Sequence, residues 1–360
     1  MLDTLRAFTD SLLGRGRAAI TVPVMDGKLK PNRVLDQAEL VATLPAIDDL
    51  ASDGRALWAS AGPVLYRLVG GALVEVRRFD ADITALALRP SGRLAVALAG
   101  RQVRVLDSDG RPLAQLEALD GQPLRCVDAL AFDGDEALLV ADGSQRCGPD
   151  QWCHDLMELG RSGRVARWTI PTGQTELLAQ GLGYAFGVLP VAGGVLVAES
   201  WRHRVLRLGP AGSAPVLAEL PGYPSRMAAA RSGGFWLTCF VCRTQLVEFV
   251  LREPAFRRRM IAEVDPRHWI APALSSGHSF LEPLQGAGVK QMGVLKPWAP
   301  PRSYGLVLRV ADDGRILRSL HSQVDGRHHG ITAVVEHGDA LYAASKGSGR
   351  LLRVEPGDDA

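Results

Sequence analysis

The chain has 360 residues, 47% of them hydrophobic and 22% charged, with a formal net charge of +2. That balance suits a packed globular protein and excludes both a disordered chain and one that needs disulfides to hold a core. Basic residues are interspersed with acidic ones, so no nucleic-acid surface is expected, and no stretch is long and apolar enough to span a bilayer.

Residues 1–17 place Leu2, Leu5, Phe8, Leu12 and Leu13 at helical spacing, without the apolar run of a secretion signal. They predict a short docked helix within an N-terminal arm over 1–37. The segment AELVATLP (38–45) reads as a strand. From there one pattern recurs: a short apolar run, a turn with Gly or Asp, then a second run of small and aromatic residues. It occupies 47–60, 83–98, 126–142, 185–200, 227–240 and 331–345. Each copy reads as a β-hairpin. A third strand, apolar residues alternating with Arg, follows at 64–68, 103–107, 165–170, 204–208, 245–250 and 350–354. Such alternation suits a strand with one face toward solvent.

Repetition of this kind predicts an all-β fold, a single six-bladed β-propeller over 38–360. A ring of blades must close, and 38–45 is the natural outer strand of the last blade. Two connections are long: the loop 143–163, and an insert at 251–303 expected between blades five and six, with PAFRRRMIAEV (254–264) helical. Loops of this length serve as lids or partner contacts, and for 251–303 a packed structural insert is an equal alternative. The insert is the surface through which a homo-oligomer would form.

Five cysteines, an odd number, fit the reduced thiols of a cytoplasmic protein. Cys239 and Cys242 lie on a predicted strand, without a redox or zinc context, and read as core thiols. Whether Cys147 and Cys153, which share a loop, form a disulfide is left open by the residues. The sequence carries no Gly-x-Ser-x-Gly elbow, His-Glu-x-x-His or phosphate loop.

The stretches at 155–168, 183–208, 219–237 and 304–317 resemble strictosidine synthase-like proteins, of the propeller superfamily that also includes gluconolactonases and paraoxonase-type esterases. The resemblance implies that functional side chains stand where each innermost strand begins, facing the central channel. In hydrolytic members these side chains hold calcium through acids and several asparagines, a hard-oxygen set. Carried over residue by residue, the first blade's acid falls on Asp48, beside Asp49, and the second blade supplies Thr84. Asp128 takes the third blade's ligand position. Phe186 replaces the fourth blade's asparagine, while Ser225 and Arg226 replace the fifth blade's Asp-Asn. Because Asn32 is the chain's sole asparagine, no Asn-based calcium site is expected, nor any other metal or cofactor. The glutamate that defines strictosidine synthase chemistry corresponds to Thr332, with Glu336 at a framework position.

These positions lead to the expectation of a metal-independent enzyme acting on a small molecule at the channel mouth, by lactone or ester hydrolysis or by condensation. Asp48, Asp128 and His329, of the His328-His329 pair, are the candidate proton carriers. Arg226 is expected to pair with the Asp128 carboxylate and to hold an anionic substrate. Asp49, Thr84, Trp152, Phe186, Ser225 and Thr332 would line the site, with His154 near its rim. Two alternatives stay open: a non-catalytic metabolite-binding propeller, and a scaffold. A channel plugged by Phe186 and Arg226 would favour the scaffold.

Overall fold

A computed structural model describes residues 22–276, 282, 290–291, 294–295 and 303–355. The helix expected over residues 1–17 lies outside the described residues.

Six four-stranded antiparallel sheets form the blades of a propeller. The innermost strands are Ile47–Ser52, Ile83–Leu88, Val127–Asp133, Ala185–Val191, Gly222–Ala229 and Ile331–His337. Burial explains the composition of each strand. Inner strands are covered on both faces by neighbouring blades, so Leu94–Leu98 (LAVAL) is buried throughout, whereas the outer strand Ala72–Arg78 (ALVEVRR) is mostly exposed. Six apolar clusters fill the spaces between adjacent blades. Between blades two and three, for example, Ala95, Ala97 and Val105 meet Leu138, Val140 and Trp168.

The ring closes as the sequence predicts. Glu39–Thr43 pairs antiparallel with Arg350–Val354, Glu39 opposite Arg353 and Thr43 opposite Arg350, and becomes the outer strand of blade six. The preceding arm is also tied down. Leu35 is fully buried between blades five and six. Asn32 donates through Nδ2 to the Ser319 carbonyl at 2.8 Å and accepts at Oδ1 from the His321 amide at 3.1 Å.

The fifth blade corrects one expectation. Residues 245–250 are not its third strand but part of an α-helix, Gln245–Arg252. The N-cap Thr244 accepts from the Val247 amide at 3.2 Å, and Val247 and Val250 lie on the buried face. The alternation of QLVEFV was also compatible with helical spacing, and the cap decided between them. Gly305–Val310 supplies the third strand instead. The insert therefore lies inside blade five, between its second and third strands, not between blades five and six. Its expected helix is present at Pro254–Glu263.

The loop 143–163 occupies the same place in blade three, between Ala137–Asp142 and Gly163–Thr169, and carries a short helix, Trp152–Met157. In an antiparallel sheet the second strand ends where the first begins. Both long connections thus rise over the mouth onto which the innermost strands open.

Removal of residues 1–45 leaves Arg350–Val354 as an unpaired sheet edge. The truncated chain is expected to aggregate and to lose the full-length thermal transition, read by size-exclusion chromatography and calorimetry. A monomer that melts with the full-length chain would place the closure elsewhere.

Candidate functional site

Every innermost strand carries a β-bulge near its start. The pairing register skips between Ile47 and Leu50, Ile83 and Ala85, Val127 and Ala129, Ala185 and Gly187, Pro224 and Met227, and Ile331 and Ala333. A bulge frees a residue from the ladder and re-aims its side chain. The residues freed are Asp48 and Asp49, Thr84, Asp128, Phe186, Ser225 and Arg226, and Thr332. All are buried. The structure thus brings the positions drawn from the resemblance together at the axis.

Arg226, 6% exposed, is the hub. Its Nε donates to the Asp128 carbonyl at 2.8 Å and its Nη2 to the Thr84 carbonyl at 2.6 Å. Nη1 donates to the carbonyls of Asp48 at 2.9 Å and Thr332 at 3.4 Å, and to Asp48 Oδ1 at 3.2 Å. Asp49 Oδ2 lies 3.2 Å from Nε, and the Phe186 ring centroid 5.2 Å from the guanidinium carbon. A side chain of blade five therefore touches all five other blades. Hydroxyl groups complete the collar: Thr332 donates to the Asp48 carbonyl at 2.6 Å and Thr84 to the Val127 carbonyl at 2.7 Å. Ser225 and Thr238 share a hydrogen bond at 2.6 Å. The close fit extends to the backbone, since a Cβ on Gly187 would meet the Ser225 carbonyl oxygen at 2.2 Å.

This geometry corrects two expectations for Arg226. It binds the backbone carbonyl of Asp128, not the carboxylate; its carboxylate partners are Asp48 and Asp49. Its donors also already face protein oxygens, so it is not poised to hold an anionic substrate.

The three acids differ in environment. Burial pushes Asp48 up, but Lys346 and Arg226 more than offset it and bring the carboxyl below its ordinary range. Lys346 Nζ donates to Asp48 Oδ2 at 2.8 Å. Asp49 is pushed up to about 6 by burial, against the pull of Arg226. Its oxygens cap the backbone amides of Leu50 at 2.8 Å and Leu86 at 2.7 Å. Asp128 is pushed up to about 7, chiefly by burial, with Arg226 and the Cys126 thiol opposing the shift and Asp48 adding to it. Its Oδ2 accepts from Cys126 Sγ at 3.3 Å, and that thiol lies 3.4 Å from Tyr184 Oη. Gly143 lets the backbone pass close by, because a Cβ there would stand 2.6 Å from Asp128 Oδ2.

A layer of rings covers this end of the axis. Phe186 packs against Phe240 and Tyr184, with centroids 5.0 and 5.8 Å away, and Trp152 meets Phe240 at 5.2 Å. One apolar cluster joins these rings to Met157 of the blade-three loop, to Val250 of the helix Gln245–Arg252 and to Met260 and Trp269 of the insert. Arg257 also donates to the Met157 carbonyl. His154 belongs to this layer, packed at a tilt against Trp269 with centroids 4.4 Å apart. His329 is engaged by other groups. Its Nδ1 meets Ser303 Oγ at 2.7 Å and its Nε2 donates to the Gln323 carbonyl at 2.6 Å, so both ring nitrogens are engaged. All five cysteines are free thiols.

The sequence reading missed Lys346, Cys126 and Tyr184. Lys346 had left a signal, as one of five lysines among 41 basic residues. The axis does not fit the calcium that the resemblance implies for hydrolytic members, because a guanidinium stands among its oxygens and a phenyl ring takes the fourth blade's position.

No family model matches the chain. Proteins named adipocyte plasma membrane-associated protein are similar to it. The Salmo salar protein is 26% identical over 66% of this chain, a match spanning only 54% of that protein's length. The Mus musculus protein is 25% identical over 92% of this chain and 81% of its own length. A strictosidine synthase-like protein of Arabidopsis thaliana is 30% identical over 38% of this chain and 39% of its own. Among solved structures, a gluconolactonase of Xanthomonas campestris superposes with a TM-score of 0.55 at 13% identity, covering 88% of each chain. Relatives with the strictosidine synthase-like name and a gluconolactonase-type propeller fold thus agree with the resemblance drawn from the motifs.

The raised Asp128 makes a stability prediction. A carboxyl whose folded pKa exceeds its unfolded value favours folding below the unfolded pKa, near 4. That contribution is lost as pH rises through about 7. Asp128→Asn cannot lose a proton. Relative to the parent, its melting temperature should therefore rise between pH 4 and pH 8; a constant difference across that range would refute the shift.

Proposed function

We propose that this chain, a six-bladed propeller with relatives named strictosidine synthase-like, is a metal-independent enzyme acting on a small molecule at the channel mouth. Asp128 is its acid–base group. The observation that carries this reading is the state of Asp128: a buried carboxyl beside the hub guanidinium but not bonded to it, pushed up to about 7. A group of that pKa exchanges a proton readily at neutral pH, the requirement for a general acid or base. Asp48 and Asp49 are poorer candidates, held by Lys346, Arg226 and backbone amides.

Lys346 is the cation best placed to meet a substrate oxygen. Its side chain is one-third exposed, at the end of the second strand of blade six, and its amine rests on Asp48. Trp152 and Phe186 would supply apolar contact from the ring layer. Hydrolysis of a lactone or ester, or a condensation, fits a site with one mobile proton and one amine at its rim.

A second reading is favoured by one observation. Arg226 and Phe186 are both buried and in contact at the axis, which suits a scaffold propeller with a filled channel.

A panel of aliphatic and aromatic lactones and esters separates the two. With Asp128 as general base, turnover should rise with pH through a midpoint near the 7 of its carboxyl. Asp128→Asn should lower kcat by about 10²–10⁴ with the fold intact. Full activity in that variant would end the proposal, and a chain inert on every substrate class would favour the scaffold.

A further inference from the structure

We infer that the propeller axis is a guanidinium site, filled in the native chain by its own Arg226, and that it does not accept a divalent metal. The inference is independent of whether the mouth is catalytic. Three observations carry it.

The first is the shape of the oxygen collar. The carbonyls of Asp48, Thr84, Asp128 and Thr332 are distributed over Nε, Nη1 and Nη2 at 2.6–3.4 Å. Oxygens arrayed around three separate nitrogens form a ring as wide as a planar, three-nitrogen cation. Calcium instead gathers six to eight oxygens at about 2.3–2.6 Å from a single point. The collar would have to contract on all four blades that supply these carbonyls to make such a set.

The second observation is the wall formed by Phe186. Its ring centroid lies 5.2 Å from the guanidinium carbon. An aromatic face attracts a weakly hydrated, delocalised guanidinium and offers no ligand oxygen to a hard ion.

The third is charge. Asp48 Oδ1 and Asp49 Oδ2 each stand 3.2 Å from the guanidinium, and Lys346 binds the other oxygen of Asp48 at 2.8 Å. Asp48 and Asp49 are thus balanced by the two cations they already contact, and neither has charge left over for a dication. The arginine thereby ties the strand starts of all six blades from the centre, a task for which a bound ion is the alternative.

Chemical rescue tests this. Arg226→Ala opens the collar and leaves its carbonyls without donors, so the melting temperature should fall by about 10 °C. Guanidinium or methylguanidinium chloride at tens of millimolar, far below denaturing concentrations, should recover much of that loss and leave the wild type unmoved. Sodium chloride at equal ionic strength, calcium and magnesium should not. Rescue by calcium, a wild type destabilised by chelator, or a variant that melts with the wild type would each overturn the inference. Should Arg226→Ala fail to fold, the wild-type chain answers by NMR: a buried hub requires the Arg226 Nε–H to exchange with water far more slowly than surface arginines. Exchange at the surface rate would also overturn it.

Discussion

A propeller brings six strand starts to one axis, and each arrives with backbone carbonyls that water cannot reach. Buried carbonyls must be bonded or they destabilise the fold. Here the bulges create the difficulty and Arg226 resolves most of it. Each bulge interrupts the ladder where an inner strand begins, so the carbonyls of Asp48, Thr84, Asp128 and Thr332 turn inward, and the guanidinium collects all four. Phe186 meets it with a ring face in place of a carbonyl. No other common side chain offers five donors in a rigid plane with a permanent charge. The mouth, the acids and the ring layer all take their positions from this one contact set.

The two long connections follow from the same geometry. Both leave second strands, in blades three and five, and so must emerge over the mouth. There they share one apolar cluster that includes Phe186 and Tyr184, joining the cover to the collar beneath it. Asp155 shows how the blade-three loop is held. It accepts from Ser144 Oγ at 2.5 Å and from Trp201 Nε1 at 2.7 Å, which ties the loop to blade four. Glu248 of the helix Gln245–Arg252 takes Arg243 and the Tyr223 hydroxyl in a similar way. Access to Asp128 therefore depends on how these two connections sit.

The fold was legible because blades repeat, and because burial on both faces leaves a plain mark in runs such as LAVAL. The closing strand was legible from a counting argument, since a ring needs its ends in one blade. The site was legible only as positions: Asp48, Thr84, Asp128, Phe186, Arg226 and Thr332 do meet, but their bonds could not be read. Arg226 looked like a substrate anchor because sequence names a charge and not its partners. Four carbonyls from residues 48 to 332 become partners only when the ring closes. The helix at 245–252 was mistaken for a strand because six residues of alternating character fit both periods. Lys346 was overlooked because a lone lysine after a strand carries no pattern, although its rarity in this chain was visible.

The charges at the axis also decide which acid holds the proton. Arg226 and Lys346 supply two positive charges, and the ionised Asp48 and Asp49 balance them through direct contacts. Ionising Asp128 as well would leave a net negative charge in a buried space, where the hub guanidinium is already shared by two carboxylates and the carboxyl's own hydrogen-bond neighbours are a thiol and a phenol. Electrostatics in low dielectric penalises that third charge heavily. The order of the acids follows from contact alone: Asp48, held by two cations, stays below its ordinary range, Asp49 lies at about 6, and Asp128 at about 7. Fixing a guanidinium at the centre therefore does more than fasten the blades. Together with Lys346 it neutralises two acids and leaves the third as the group whose proton is exchangeable near neutrality.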